Sequence, residues 1–461
     1  MAITIQQQAY TKQKAGSEEQ KDVQPVYTPA VFVVSSTKTA ELNHRYVADV
    51  YIKNTKVARL KFTKNSSDRG MVDVTQILID YCNAQILGYD NNGSASGSST
   101  KSGVTSGDFP HSIHQIDKYS RNDASMIDWY VLFGEEYQLS NDEPPLIYNG
   151  SGDVEGDPAL ATNSFQSFNS VLNQYEDLMF KSITPYILSS SSNVFNSSLD
   201  YVVNRKIRID DYHTICVFNG TNQDGNVSRP DRMNVRTYGP TGTQLQFFQV
   251  LNTDANGGSP YGSTINDGIE NLLFVGCGPK NFANSLTPIS PNAVYYTIQF
   301  VQGGAGRSRL YRFDIDECDE DTERFKKYRL AWLNKFGGWD YFNFDMKSEK
   351  SFDMERQTYM TTRGTWQDDQ YFFQQGEFGV TDFNVDARQK LKLQSDWLVD
   401  GEVEMIRELF FSPRVHLLDG EDVFPVNVQA TNFIQYKQKE DKVFQYELDV
   451  TFSHKHRVQN G

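Results

Sequence analysis

Close to the C-terminal end the chain alternates apolar and polar side chains with a period of two. Phe444, Tyr446, Leu448, Val450 and Phe452 fall on one side, and Gln445, Glu447, Asp449 and Thr451 on the other. In extended backbone, neighbouring side chains point to opposite faces, so such a run buries one face and wets the other; a helix cannot do this. Arg45 to Lys53 repeats the pattern, with Tyr46, Ala48, Val50 and Ile52 set against Arg45, Val47, Asp49 and Tyr51. A short Asn54-Thr55 turn then leads into Lys56 to Lys64, which predicts a hairpin. The segments Val415 to Leu418 and Val423 to Val428 flank Asp419-Gly420, a dipeptide that favours a tight hairpin turn. Val294 to Val301 and Leu310 to Ile315 flank the loop Gly-Gly-Ala-Gly-Arg, and Tyr328 to Leu333 and Tyr341 to Phe344 flank Gly337-Gly338. Shorter strands are expected at Pro29 to Val34, Ile127 to Phe133, Tyr212 to Phe218, Gln244 to Leu251 and Asn271 to Val275. The pattern predicts a mainly β chain with a few helices, built as multi-domain β-sandwich or barrel-like modules.

Composition agrees with that reading. Hydrophobic residues make up only 38% of the chain, yet it carries 30 Phe, 25 Tyr and 5 Trp, so its sheets would be filled by rings and β-branched side chains. At 461 residues the chain is too long for one core. Residues 1–26 are rich in Gln, Lys and Glu and read as a flexible polar N-terminal arm. An N-terminal β-rich domain is expected over 27–140, with a Gly/Ser-rich loop at 91–107 and one helix that Asp73 or Thr75 caps and that runs through Ala84. Phe133 to Tyr137 (FGEEY) reads as a polar turn. A loop-rich β region would cover 141–290, with some helix between Asn163 and Leu188. A C-terminal β-rich domain would cover 291–461, with one helix over 400–411 stopped by Pro413 and striped by Val403, Ile406, Leu409 and Phe410.

Several functions are disfavoured. The net charge of −15 opposes direct nucleic-acid binding, which needs clustered Lys and Arg. No apolar run is long enough for a membrane helix, so no membrane insertion is expected, and the first residues lack the apolar core of a secretory signal. Cys82, Cys216, Cys277 and Cys318 are widely spaced, as reduced buried thiols would be. Neither Gly276-Cys277-Gly278 nor Gly303 to Gly306 has phosphate-loop spacing. The acidic run Asp314 to Asp321 fails as a calcium loop because Cys318 and Asp319 stand where an oxygen ligand and a glycine are required. The pairs His111/His114 and His454/His456 lack further ligands at metal spacing. No nucleophile elbow or zinc-protease motif is present. The chain therefore reads as non-enzymatic, with no catalytic residues, no cofactor and no metal.

Aromatic clusters are the more informative feature. Trp332, Trp339, Tyr341, Phe342 and Phe344 gather around one turn, and Tyr371, Phe372 and Phe373 form a second group. Either group could fill a hairpin core, form a subunit interface or stack on carbohydrate.

Several stretches carry a resemblance: RYVADVYI (Arg45 to Ile52), GMVDVTQILIDY (Gly70 to Tyr81), FGEEY, RLAWLNKFGGWDYFNF (Arg329 to Phe344), ELFFSPRVHLL (Glu408 to Leu418) and PVNV (Pro425 to Val428). In that order they resemble tail-associated virion proteins of tailed bacteriophages, especially those infecting Bacteroidetes. The resemblance implies a structural subunit of the tail tip, baseplate or neck, assembled in the host bacterial cytoplasm and carried in the virion. It implies a homo-oligomeric ring and other tail or neck proteins as partners. A receptor-binding or glycan-binding tail protein, with a host receptor or glycan as partner, is the alternative.

Overall fold

The computed structural model describes residues 3–83, 87–88, 111–171, 204–252, 271–316, 326–429 and 445–457, apart from 15–16, 21–22, 116–118, 123–125, 152–156, 222–226, 229, 286, 303, 361–363, 373–378 and 399. The fold is mainly β, with three α-helices among the described residues. It divides into two compact units. The first is Met1–Glu317 with Asn334–Trp339, and the second is Cys318–Leu333 with Asp340–Gly461.

The first unit holds two sandwiches. In the first sandwich, Ile3–Gln7, Val31–Ser36 and Arg69–Asp73 form a three-stranded sheet in that order. Facing it is a seven-stranded sheet ordered Val23–Pro25, Phe165–Phe168, Met126–Gln138, Leu42–Ile52 and Thr55–Phe62, with Leu146–Asn149 and Leu160–Ala161 also paired to Met126–Gln138. Phe32, Val34 and Val72 meet Tyr46, Ala48, Val50, Trp129, Val131 and Phe133 in a closed core. The alternation read over Arg45 to Lys53 thus sends Tyr46, Ala48, Val50 and Ile52 inward, as expected. The hairpin turn lies one residue earlier than the sequence suggested: Lys53 and Asn54 take φ of 48° and 63°, the left-handed pair that a two-residue turn between twisted strands requires. Thr75–Tyr81 forms a helix with Leu78 buried, and the Asp73 carboxylate accepts from the Thr75 N–H at 2.9 Å.

Two sequence expectations change here. FGEEY is no turn: Phe133 to Tyr137 lies within one unbroken strand, Met126–Gln138. Its polar residues tolerate the interior because Glu135 meets His44 and Ser36 there. The described part of residues 1–26 is not a free arm, since Ile3–Gln7 pairs with Val31–Ser36 and Val23–Pro25 runs parallel to Phe165–Phe168. Ile3, Ala9, Tyr10 and Val23 are buried, and these few apolar anchors are enough to hold a polar segment at a sheet edge.

The second sandwich sets a four-stranded sheet (Tyr119–Asn122, Asn271–Gly276, Thr214–Thr221, Val227–Ser228) against a six-stranded one. The larger sheet is ordered Asn204–Ile207, Tyr311–Ile315, Tyr295–Gln302, Arg232–Tyr238 and Gln244–Leu251, with Ala305–Gly306 on Tyr295–Gln302. Ile215, Val217, Leu273 and Val275 face Met233, Val235, Ile298 and Phe300 across the core. Phe282 of helix Pro279–Ser285 joins them. Because Tyr295–Gln302 and Tyr311–Ile315 belong to this sheet, the boundary drawn from sequence at residue 291 falls inside a sandwich. The region drawn as 141–290 is likewise shared between both sandwiches.

The second unit is built differently. Trp339–Phe344, Tyr328–Leu333, Val415–Asp419, Asp422–Val428, Glu447–Phe452, Val380–Gln394 and Ser348–Met360 form one sheet in that order, with His456–Arg457 on Val380–Gln394. Its second layer is the helix Asp400–Phe411, whose Val403, Ile406 and Leu409 pack on Leu330, Trp332, Leu391 and Leu448. Leu448 and Val450 of the closing strand are buried as the alternation predicted; Phe444 lies outside the described residues. So do the 91–107 loop, most of the region from Asn163 to Leu188 and the greater part of the acidic run from Asp314.

Candidate assembly surface

The second unit extends a long hairpin from its sheet. Ser348–Met360 pairs with Val380–Gln394 from Ser348↔Leu393 to Met360↔Val380, with a bulge at Gln357/Thr358. On the far side of Val380–Gln394, Glu447–Phe452 pairs only with residues 390–394 and His456–Arg457 only with 386–387. Among the described residues no third strand pairs with 380–385, so the outer half is a two-stranded ribbon. At ~3.4 Å per residue the strand Ser348–Met360 is about 44 Å long. Beyond it sits a small hairpin, Thr365–Gln367 with Gln370–Phe372, turned by Asp368 and Asp369 at φ 47° and 64°. Gly364, at φ +80°, lies so close to this hairpin that an added Cβ would sit 2.5 Å from the Phe372 carbonyl oxygen.

Register gives the arm two unlike faces. Phe352, Met354 and Met360 stand opposite Gln389, Ala387 and Val380, with Val385 and Leu391 on the same side. Glu349, Asp353 and Glu355 lie on the other face opposite Lys392, Arg388 and Asp386. Asp353 is ion-paired with Lys390 there. Near the sheet the apolar face is covered: Leu391 and Leu393 are buried. Farther out Met354, Val380 and Met360, the last 78% exposed, are open to solvent on this face, interrupted by the Arg356–Asp382 ion pair; Phe383, at the bulge, lies against Tyr359, and Trp366 of the small hairpin is 74% exposed. An apolar ribbon of this kind is the usual mark of a surface that another chain covers.

The aromatics singled out from sequence separate into two groups. Trp332 and Phe344 lie in the helix–sheet core. Trp339 is buried edge-on to His114, ring centroids 4.8 Å apart, and Tyr341 is buried with the Arg329 guanidinium 5.0 Å from its ring. Phe342 is half-buried against Phe344. Their rings are spent on the chain's own interior, so of the three readings open to this group the hairpin core holds and the interface does not. Tyr371 and Phe372 are exposed on the small hairpin, where Tyr371 lies edge-on to Trp366 at 6.0 Å; Phe373 lies outside the described residues. Sequence reasoning missed Phe352, Met354, Met360 and Val380. The signal was present in the alternation of Val385, Ala387, Leu391 and Leu393 with polar residues, but period two does not say which strands find a second layer.

Polar clusters elsewhere are structural in geometry. His44 Nε2 and the Ser36 hydroxyl both meet Glu135 Oε2, at 3.2 and 2.5 Å, inside the first sandwich. The serine donates to the carboxylate rather than to the imidazole, so this order cannot activate a nucleophile. Asp49 is buried, which opposes its ionisation; the Arg59 guanidinium, bound at 2.6 and 2.7 Å, and the Lys56 ammonium outweigh this and hold the carboxyl below its ordinary range. Burial pushes the Cys82 and Cys216 thiols upward, the opposite of a reactive thiolate. Of the acidic run, Asp314 bonds Arg312 at 2.7 Å; among the described residues no three His, Cys, Asp or Glu side chains gather as a metal site would need. Among the described residues no helix is long and apolar enough to cross a membrane.

No family model matches the chain, and no curated protein matches it in sequence.

Proposed function

We propose that this chain is a non-enzymatic structural subunit of a bacteriophage virion, an oligomeric component of the tail tip, baseplate or neck that positions other tail proteins. The observation that carries the reading is the arm of Ser348–Met360 and Val380–Gln394, a ribbon with one charged face and one on which Phe352, Met354, Met360 and Val380 are exposed around the Arg356–Asp382 ion pair. Burying a large apolar side chain stabilises a protein by ~1.5–3 kcal/mol, so Met354, Met360, Val380 and Trp366 together offer several kcal/mol to whatever chain covers them. A surface of this sort suits permanent assembly better than turnover of a small substrate. The resemblance of the ordered motifs to tail-associated proteins supplies the setting. The test is mass spectrometry of purified particles together with electron microscopy of the isolated protein. Stoichiometric presence in virions and ring-shaped particles are expected; a stable monomer absent from virions overturns the reading. The exposed Trp366–Tyr371 pair supports a second reading, a receptor or glycan contact at the arm's end. Specific glycan-array binding lost on Trp366→Ala would favour that reading.

A further inference from the structure

The second sandwich has its own open edge. Among the described residues Gln244–Leu251 ends the six-stranded sheet and pairs only with Arg232–Tyr238. Its sequence, Gln-Leu-Gln-Phe-Phe-Gln-Val-Leu, contains no charge and no proline. Soluble proteins guard free edges with lysines, prolines, bulges or cover, because unpaired N–H and C=O groups recruit other strands. Here lysine and proline are absent, although a bulge leaves Leu245 unpaired at the start of the strand and the Gln246 side chain is bonded to the Pro288 carbonyl and the Ser290 N–H; Leu245, Phe247 and Leu251 are exposed on the outer side while Val250 points into the core. One strand inward on that same outer side stand Arg232, opposite Leu251, and Arg236, opposite Phe247. The Arg236 guanidinium lies 5.4 Å from the Phe247 ring.

The arm's free edge is the complementary case. Two arms cannot pair well with each other. An antiparallel pairing that matches their apolar faces sets Asp353 against Glu355, Glu349 against Glu355, or Lys350 against Arg356, and like charges directly opposite are destabilising. Against the uncharged edge no such clash arises. One orientation places Asp353 and Glu355 on the side of Arg232 and Arg236, and Phe352 and Met354, flanked by Lys350 and Arg356, on the side of Phe248 and Val250.

We infer that the Ser348–Met360 edge of one copy lies along Gln244–Leu251 of a second copy and extends its six-stranded sheet by the two strands of the arm. The inference rests on the proposed reading that the chain is a homo-oligomeric subunit, and it names the contact. Donor and acceptor surfaces differ, so each copy gives an arm and receives one, which closes a ring when the rotation between copies permits. The main-chain hydrogen bonds supply affinity, and the alternating side chains set register.

The test mixes two populations of the full chain, a tagged one carrying Glu355→Cys and an untagged one carrying Phe247→Cys, and adds a short bismaleimide, with the unaltered chain as background. A two-chain product that appears only in the mixture is expected. Its absence, or efficient crosslinking of the Glu355→Cys population alone, overturns the contact. In parallel, Phe247→Glu places an acid on an exposed position opposite the arm's acids; assembly measured by light scattering should weaken at least tenfold while the circular dichroism spectrum is unchanged. Undiminished assembly in that variant removes this contact but leaves the structural-subunit reading intact. A chain that stays monomeric at every concentration removes both.

Discussion

Two strands of this protein have the same length and opposite fates. Met126–Gln138 and Ser348–Met360 each run for 13 residues, and each has one register shift in its main pairing. Met126–Gln138 lies between Leu42–Ile52 on one side and Phe165–Phe168 on the other, beneath a second sheet. Its Trp129, Val131 and Phe133 are therefore sealed against Phe32. Among the described residues Ser348–Met360 has one neighbouring strand, and no second layer reaches its outer half. The same alternation that builds a core in one place leaves an exposed ribbon in the other. Burial is set by the number of neighbours and by a covering layer, not by the strand itself.

The sharpest way to break this comparison is to truncate a tryptophan in each region. Trp129 packs edge-on to Phe32, stacks on Phe165 at 4.8 Å and donates its indole N–H to Ser167 at 2.9 Å. Trp129→Ala should lower unfolding free energy by ~3–5 kcal/mol in a urea titration. Trp366→Ala, on the exposed hairpin, should change it by less than ~0.5 kcal/mol. A comparable loss from both would mean that the arm is packed within its own chain.

The sheet that roots the arm should also be acid-sensitive through His416, which lies in Val415–Asp419. Burial, with a smaller contribution from the Arg414 cation, lowers its pKa from 6.5 to about 4. The neutral form is favoured on folding, so the contribution of this group is full above pH 6.5 and is lost as pH falls toward 4. The shift corresponds to about 3 kcal/mol in total. Stability measured between pH 7 and 4.5 should show this slope, and His416→Gln should flatten it.

Gly364→Ala tests the arm's end. The positive φ and the near approach of Phe372 should cost ~1–3 kcal/mol, confined to the small hairpin. Hydrogen exchange should rise over 365–372 and stay unchanged in the helix Asp400–Phe411. The smallest effect is expected at the arm's charged face: Lys390→Ala removes the exposed pair with Asp353 and should cost under ~1 kcal/mol, less at high salt.

Local patterns were largely legible in the sequence. Alternation located Leu42–Ile52 and the closing strand, Asp419-Gly420 located a hairpin, and Pro413 located the end of the Asp400–Phe411 helix. What failed was non-local. FGEEY looked like a turn because its polar residues find partners nearly a hundred positions away, as His44 does with Glu135. The N-terminal stretch looked free because its strand partner begins at Val31, and the sequence of a polar edge strand does not announce its neighbour. The aromatics around Gly337-Gly338 left core and interface both open for the same reason: composition shows that rings will be buried, not which surface buries them. Gly337 itself is held at φ +87°, where an added Cβ would collide with the Asn169 carbonyl, a demand no local motif encodes.

The placement of the five tryptophans gives the protein a built-in optical readout. Trp129, Trp332 and Trp339 are screened from water, whereas Trp366 and Trp397 are open to it. A Trp397→Phe background leaves Trp366, at the arm's end, as the indole most open to aqueous quenchers such as iodide. Covering the arm would therefore register as a blue shift in emission and protection from iodide, so that assembly could be followed in real time without an attached dye.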